Sequence, residues 1–145
     1  MKENNEVLIH IYKDCDMSVS VLSKLLKDLK EKNNKIKDSV EDVLKEYQSF
    51  KDQTKELLDK DGVKPEKENF VTKIMGNMGV SKEVKEDNSD SSIADMLVKG
   101  ISMGSIDMEK KLSQYKDCLD DNLKEFVESF LKFQESAIDK LKKYL

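Results

Sequence analysis

The residues of this chain with chemistry to offer are one histidine, two cysteines and a scatter of carboxylates. His10 and Cys15 lie near the start, and Cys118 lies far along the chain. Two thiols and one imidazole so dispersed cannot close the four-ligand shell that a structural zinc ion takes. Acyl transfer usually needs a nucleophile beside a histidine or an activated lysine, with a third group to orient the base. No such set is spaced along the sequence. No glycine-rich phosphate loop stands between a strand and a helix. A lone histidine beside an apolar stripe is ordinarily structural, and His10 is read that way. What remains is carboxylate chemistry. Asp16, Glu46, Asp107 and Glu135, with Gln134 beside the last, fall near the middle of long periodic stretches. An all-oxygen set of this kind would suit a hard cation such as Mn or Mg. Asp and Glu, however, make up 30 of 145 residues, so some fall mid-stretch by chance. Each of the four also flanks its apolar stripe, where a charge is normally boundary surface. The expectation is therefore no metal and no cofactor, with these four as the positions a metal would use.

Gly100 and Gly104 form a GxxxG pair, with Met96, Met103 and Met108 around them and Met75 and Met78 upstream. In a membrane such a pair draws helices together. Here the surrounding stretch is too polar for that, so two readings stay open. The glycines admit a close neighbour, or they border a methionine-lined pocket of the adaptable kind that flexible thioethers form. Gly100, Gly104, Met103 and Met108 are the close-packing or pocket candidates.

These residues must be positioned by helices. From Leu8 the apolar positions run Leu8, Ile11, Cys15, Ser18, Leu22, Leu25 and Leu29, alternating steps of three and four that share one helix face. A polar joint centred on Asn33 and Asn34 follows. The second stripe is Ile36, Val40, Val43, Tyr47, Phe50, Thr54 and Leu57. Asp61-Gly62 ends it, since glycine supplies the left-handed residue of a helix end, and Pro65 cannot continue it. Residues 62–91 read as a connection with a short helix carrying Phe70, Ile74 and Met78, then a polar run from Ser81. A link this long suits a passage from one end of a bundle to the other, but it also suits a loose return. The third stripe is Ile93, Leu97, Ile101, Gly104, Met108, Leu112 and Tyr115, opened by a capping box at Ser92 with Asp95. The fourth, capped at Asn122, is Leu123, Phe126, Phe130, Phe133, Ala137, Leu141 and Tyr144. The expected architecture is all-α: one domain over 1–145, an antiparallel four-helix bundle with helices near 5–32, 35–61, 92–119 and 122–144. Two short joints make two hairpins, and the long link joins them.

Composition agrees. With 39% charged residues, one proline and five glycines, long helices are favoured over sheets. The net charge is only −4 and the signs alternate, which leaves no basic footprint for nucleic acid. All the positive charge is lysine. The planar bidentate fork that reads phosphate and guanine is missing. No apolar run approaches the roughly 20 residues a spanning helix needs. No signal-peptide core follows the first residues, so the expected location is cytoplasmic, with Cys15 and Cys118 reduced.

Three segments carry a resemblance: Ile9–Met17 in the first helix, Leu44–Phe50 in the second and Ala94–Asp107 in the third. Together with the overall layout they resemble the ferritin-like, rubrerythrin-like four-helix bundles, particularly bacterial members of clostridial type that lack the di-metal histidines. The resemblance implies a ferritin-like bundle with a long link between helices two and three. A di-metal member would carry a Glu-x-x-His on each of two helices. Here Glu46 is followed at that spacing by Ser49, and Glu135 by Ile138. The expected function is thus a non-enzymatic structural or interaction bundle, binding an unknown protein or a second copy of itself. The alternatives are a degenerate carboxylate metal-binding protein, for storage or peroxide-related chemistry, and a carrier of a small apolar ligand.

Overall fold

The computed structural model describes residues 2–65 and 88–145. Four helices occupy them: α1 Lys2–Asp28, α2 Lys37–Lys60, α3 Asp90–Tyr115 and α4 Asp121–Lys142. Among the described residues there is no strand. The expected helix at Phe70, Ile74 and Met78, and the polar run from Ser81 to 87, lie outside the described residues, as do Met75 and the first residue.

Each helix packs against two neighbours and is antiparallel to both. α1 lies against α2 and α3, and α4 lies against the same two. Side-chain ties at the two ends set the directions. At one end the Asn4 amide donates to Asp120 Oδ2 at 2.7 Å, joining the start of α1 to the α3–α4 turn. At the other end the Asn34 amide donates to the Asn88 carbonyl at 2.6 Å and to Asp90 Oδ1 at 3.0 Å, joining the α1–α2 turn to the start of α3. Because α2 returns alongside α1, its last residues sit at the Asn4 end, whereas α3 starts at the Asn34 end. The chain therefore leaves α2 at one end of the bundle and enters α3 at the other, and α2 and α3 run the same way from opposite corners.

Two of the helix ends have local causes. At the end of α2, Gly62 takes φ +68°. Its N–H donates to the Asp59 carbonyl and that of Val63 to the Leu58 carbonyl, both at 3.0 Å, a Schellman closure with Val63 folded onto the core. α3 is capped by Ser89, whose hydroxyl accepts from the Ser92 N–H at 3.2 Å. Ser92 thus receives the expected cap one turn into the helix and does not supply it. α4 starts after Asp120, not Asn122, and the Asp120 side chain is turned to Asn4. Like Asp120, the N-cap residue of α2, Ile36, makes no capping bond with its side chain. Asp90 stands at this end instead: the backbone N–H groups of Lys35, just before the cap, and of Ile36 donate to its carboxylate at 3.1 and 3.4 Å.

The apolar stripes meet in one core. Ile11, Leu25, Ile36, Met108, Phe130 and Leu141 are among its fully enclosed side chains. Three expected positions shift by one residue. Leu58 is buried where Leu57 was expected, Val127 where Phe126 was, and Gln134 where Phe133 was. Phe126 and Phe133 instead cover the seam between α4 and α2. There Phe133 meets Tyr47 edge-on at 4.8 Å and stacks on Phe50 at 5.4 Å.

Candidate functional site

Halfway along the bundle the core turns polar. Asp14 on α1, one residue before the buried Cys15, sends its carboxylate toward the centre. Gln134 on α4 reaches diagonally across, and its amide nitrogen donates to Asp14 Oδ2 at 3.1 Å and to the Tyr47 phenol oxygen at 3.4 Å. Ser18, one turn along α1, donates to Asp14 Oδ1 at 3.3 Å. The space for that carboxylate comes from α3. A Cβ added to Gly104 would lie 3.0 Å from Asp14 Oδ2 and 3.4 Å from the Gln134 nitrogen. One of the two candidate glycines is therefore a close-approach site, with a carboxylate as the approaching group. Gly100 is exposed, and a Cβ there would meet nothing within 4 Å. The candidate methionines separate likewise: Met108 is fully buried, whereas Met103 is 64% exposed.

Burial tunes each titratable group here. It raises the Asp14 carboxyl to about 6; the bonds from Gln134 and Ser18 pull the other way, and Asp107 adds to the rise. Burial, and then the Asp14 charge, pushes the Tyr47 phenol well above its usual value. Burial followed by Asp14 does the same to the Cys15 thiol. Tyr47 stays a phenol and Cys15 an unreactive thiol near neutral pH, so the group able to exchange a proton in this cluster is Asp14. One polar atom is left over: Gln134 Oε1 is buried without a hydrogen-bond partner.

The four expected metal positions do not converge. Asp16 lies at the α1–α2 seam, paired with Lys51 at 2.9 Å. Glu46 and Glu135 are exposed; Glu46 lines an open groove between α2 and α4 with Val43, Phe133 and Lys140. Asp107 is exposed on α3, near half-buried His10, whose imidazole is lowered by burial and then by Lys111, with Asp107 opposing. Among the described residues no three His, Cys, Asp or Glu side chains stand close enough to share a metal ion. Asp14, which does face the centre, is met by an amide nitrogen, a donor and not a ligand. A single central carboxylate so occupied does not fit the di-metal centre that a ferritin-like layout would imply.

No family model, curated protein or solved structure matches the chain. The cluster must be judged on its own geometry: a carboxylate, a carboxamide and a phenol, closed off by a glycine and by aromatic rings.

Two signals in the sequence point to it. Asp14 follows Ile11 by three and precedes Ser18 by four, so it shares their face. Gln134 stands four after Phe130 and three before Ala137, in step with that stripe. A reading that follows apolar residues passes over both.

Proposed function

We propose that this protein is a non-enzymatic interaction bundle of ferritin-like layout, in which a hydrogen-bonded polar lock stands at the position where a di-metal member would carry its centre. The observation that carries the reading is the bond from the Gln134 amide nitrogen to the inward carboxylate of Asp14. Two further features support it. The long link joins opposite ends of the bundle, as a ferritin-like arrangement requires. On the outside, Met103 and Ile106 are 64% and 51% exposed on one helix, an apolar offering that folding of the single chain does not use. Among the described residues no helix is long and apolar enough to cross a membrane. Cys15 and Cys118 are free thiols, which suits a reducing compartment such as the cytoplasm.

Metal titration tests this against the carboxylate-binding alternative. Protein purified without chelators and titrated with Fe(II) or Mn(II) should show no stoichiometric uptake and no rise in thermal midpoint. Stoichiometric binding that is lost in Asp14→Asn would overturn the reading and put the metal-binding alternative in its place.

A further inference from the structure

The outward side of α3 departs from the charged surface of the other helices. Met103 and Ile106 are its exposed large apolar side chains; the other one among the described residues is the terminal Leu145. One turn before Met103, Gly100 leaves bare backbone with open space above it, so a neighbouring chain can approach closely.

We propose that this face is a self-pairing surface, through which two copies of the chain dock by antiparallel α3 helices crossing at Met103. The proposal rests on the interaction reading above and names the partner. The pattern of residues around Met103 selects it. In an antiparallel pair centred there, Lys99 comes level with Asp107 of the second copy, both of them exposed. Gly100 comes level with Ile106, the small residue with the large one. This charge pairing is of opposite sign, and the two-fold axis makes it occur twice. A parallel pair would set Lys99 against Lys99 and Asp107 against Asp107, so like charges oppose that register.

Within one chain Lys99 already has a local contact, bonding Asp95 at 2.8 Å. The charge across the pair adds to that contact. Exposed ion pairs contribute little affinity, so their part is to fix register, while Met103 and Ile106 supply the apolar burial. One helix face against another is small for a specific interface, so dimer and monomer exchange with concentration.

Sedimentation equilibrium on the full chain tests the pairing, with circular dichroism confirming that each variant keeps its helices. The expected result is a monomer–dimer equilibrium whose midpoint moves to about ten-fold higher concentration or more in Met103→Lys, a central contact. Lys99→Glu and Asp107→Lys should each weaken the dimer, and the double variant should recover most of the loss, because it restores opposite signs across the pair. A chain that is monomeric at every concentration overturns the proposal. So does a dimer indifferent to Met103→Lys, or a double variant weaker than either single one. None of these outcomes touches the non-enzymatic reading, which falls only to stoichiometric metal.

Discussion

At mid-height the bundle carries a carboxylate on its inside, and on the outside of α3, at the same level, it carries Met103 and Ile106. Both depart from the rule that apolar groups go in and charged groups stay out, but they are handled differently. The inner carboxylate is given partners: the Gln134 amide, the Ser18 hydroxyl and the space above Gly104. The outer apolar pair is given none within the chain. A buried polar group left unmade costs the full desolvation of that group, whereas an exposed methionine costs almost nothing to folding. The inner carboxylate must therefore be satisfied for the chain to fold, while the outer pair can wait for a partner.

The sharpest way to break this contrast is through Gly104. Gly104→Leu drives a side chain into the Asp14 carboxylate and should destabilise by about 3 kcal/mol, at the upper end of overpacking penalties. Gly104→Ala should be near neutral or mildly destabilising. Its helix propensity gains about 1 kcal/mol, but its Cβ meets Asp14 Oδ2 at 3.0 Å and presses on the bond to Gln134. Denaturant unfolding of the two variants checks both. If each were more stable than the parent, the carboxylate would not be held where the bond from Gln134 requires.

The next effect is a pH dependence. Asp14 is raised from 3.8 to about 6 in the folded chain. Between those two values the folded state holds a proton that the unfolded state has lost. This group's contribution to stability therefore falls as pH rises from about 4 to about 6, and is level on either side. Allowing for partial solvent contact of the residue, the fall is up to about 2 kcal/mol. Asp14→Asn should remove that segment from the stability–pH curve and be the more stable protein at pH 7. Its amide can also donate to Gln134 Oε1, the atom that now lacks a partner. Urea unfolding of both proteins from pH 4 to 7 measures the difference. A constant gap between the curves would show that Asp14 is solvated.

The smallest effect lies on the outside. Met103→Lys and Ile106→Lys should change the stability of the monomer by no more than about 0.5 kcal/mol, the range for surface substitutions. Thermal unfolding at a concentration where the chain is monomeric checks this. A large loss would mean that the outer face is part of the core.

How far these regions could be read beforehand follows from the same chemistry. Four helices, two short joints and a long link were legible because leucine, isoleucine and valine recur at helical spacing. Most stripe members, from Leu8 to Leu29 and from Ile36 to Thr54, are buried as that spacing requires. The slips by one residue came where two adjacent positions were both large and apolar, as at Leu57 and Leu58, or where size outweighed polarity, as with Phe133 over Gln134. The polar centre was hidden for the same reason. Asp14, Ser105 and Gln134 are inside but do not look it, and only packing against other helices shows what they face. Asp16 and Asp14 are two residues apart, which along a helix changes the face completely: Asp16 pairs with Lys51 at the α1–α2 seam and Asp14 faces the centre. The cap of α2 was not legible at all, because it lies in another part of the chain.

That last feature bears on the order in which the protein is made. The N–H of Ile36 waits for a carboxylate that lies 54 residues further on. As the chain leaves the ribosome, the first hairpin is present with the start of its second helix unserved, and it stays so until Asp90 has emerged and come alongside. When α3 and α4 follow, Asp90 closes one end of the assembly and Asp120 meets Asn4 at the other. Neither hairpin is complete by itself, so the two are expected to gain their structure together, as one cooperative unit with one transition.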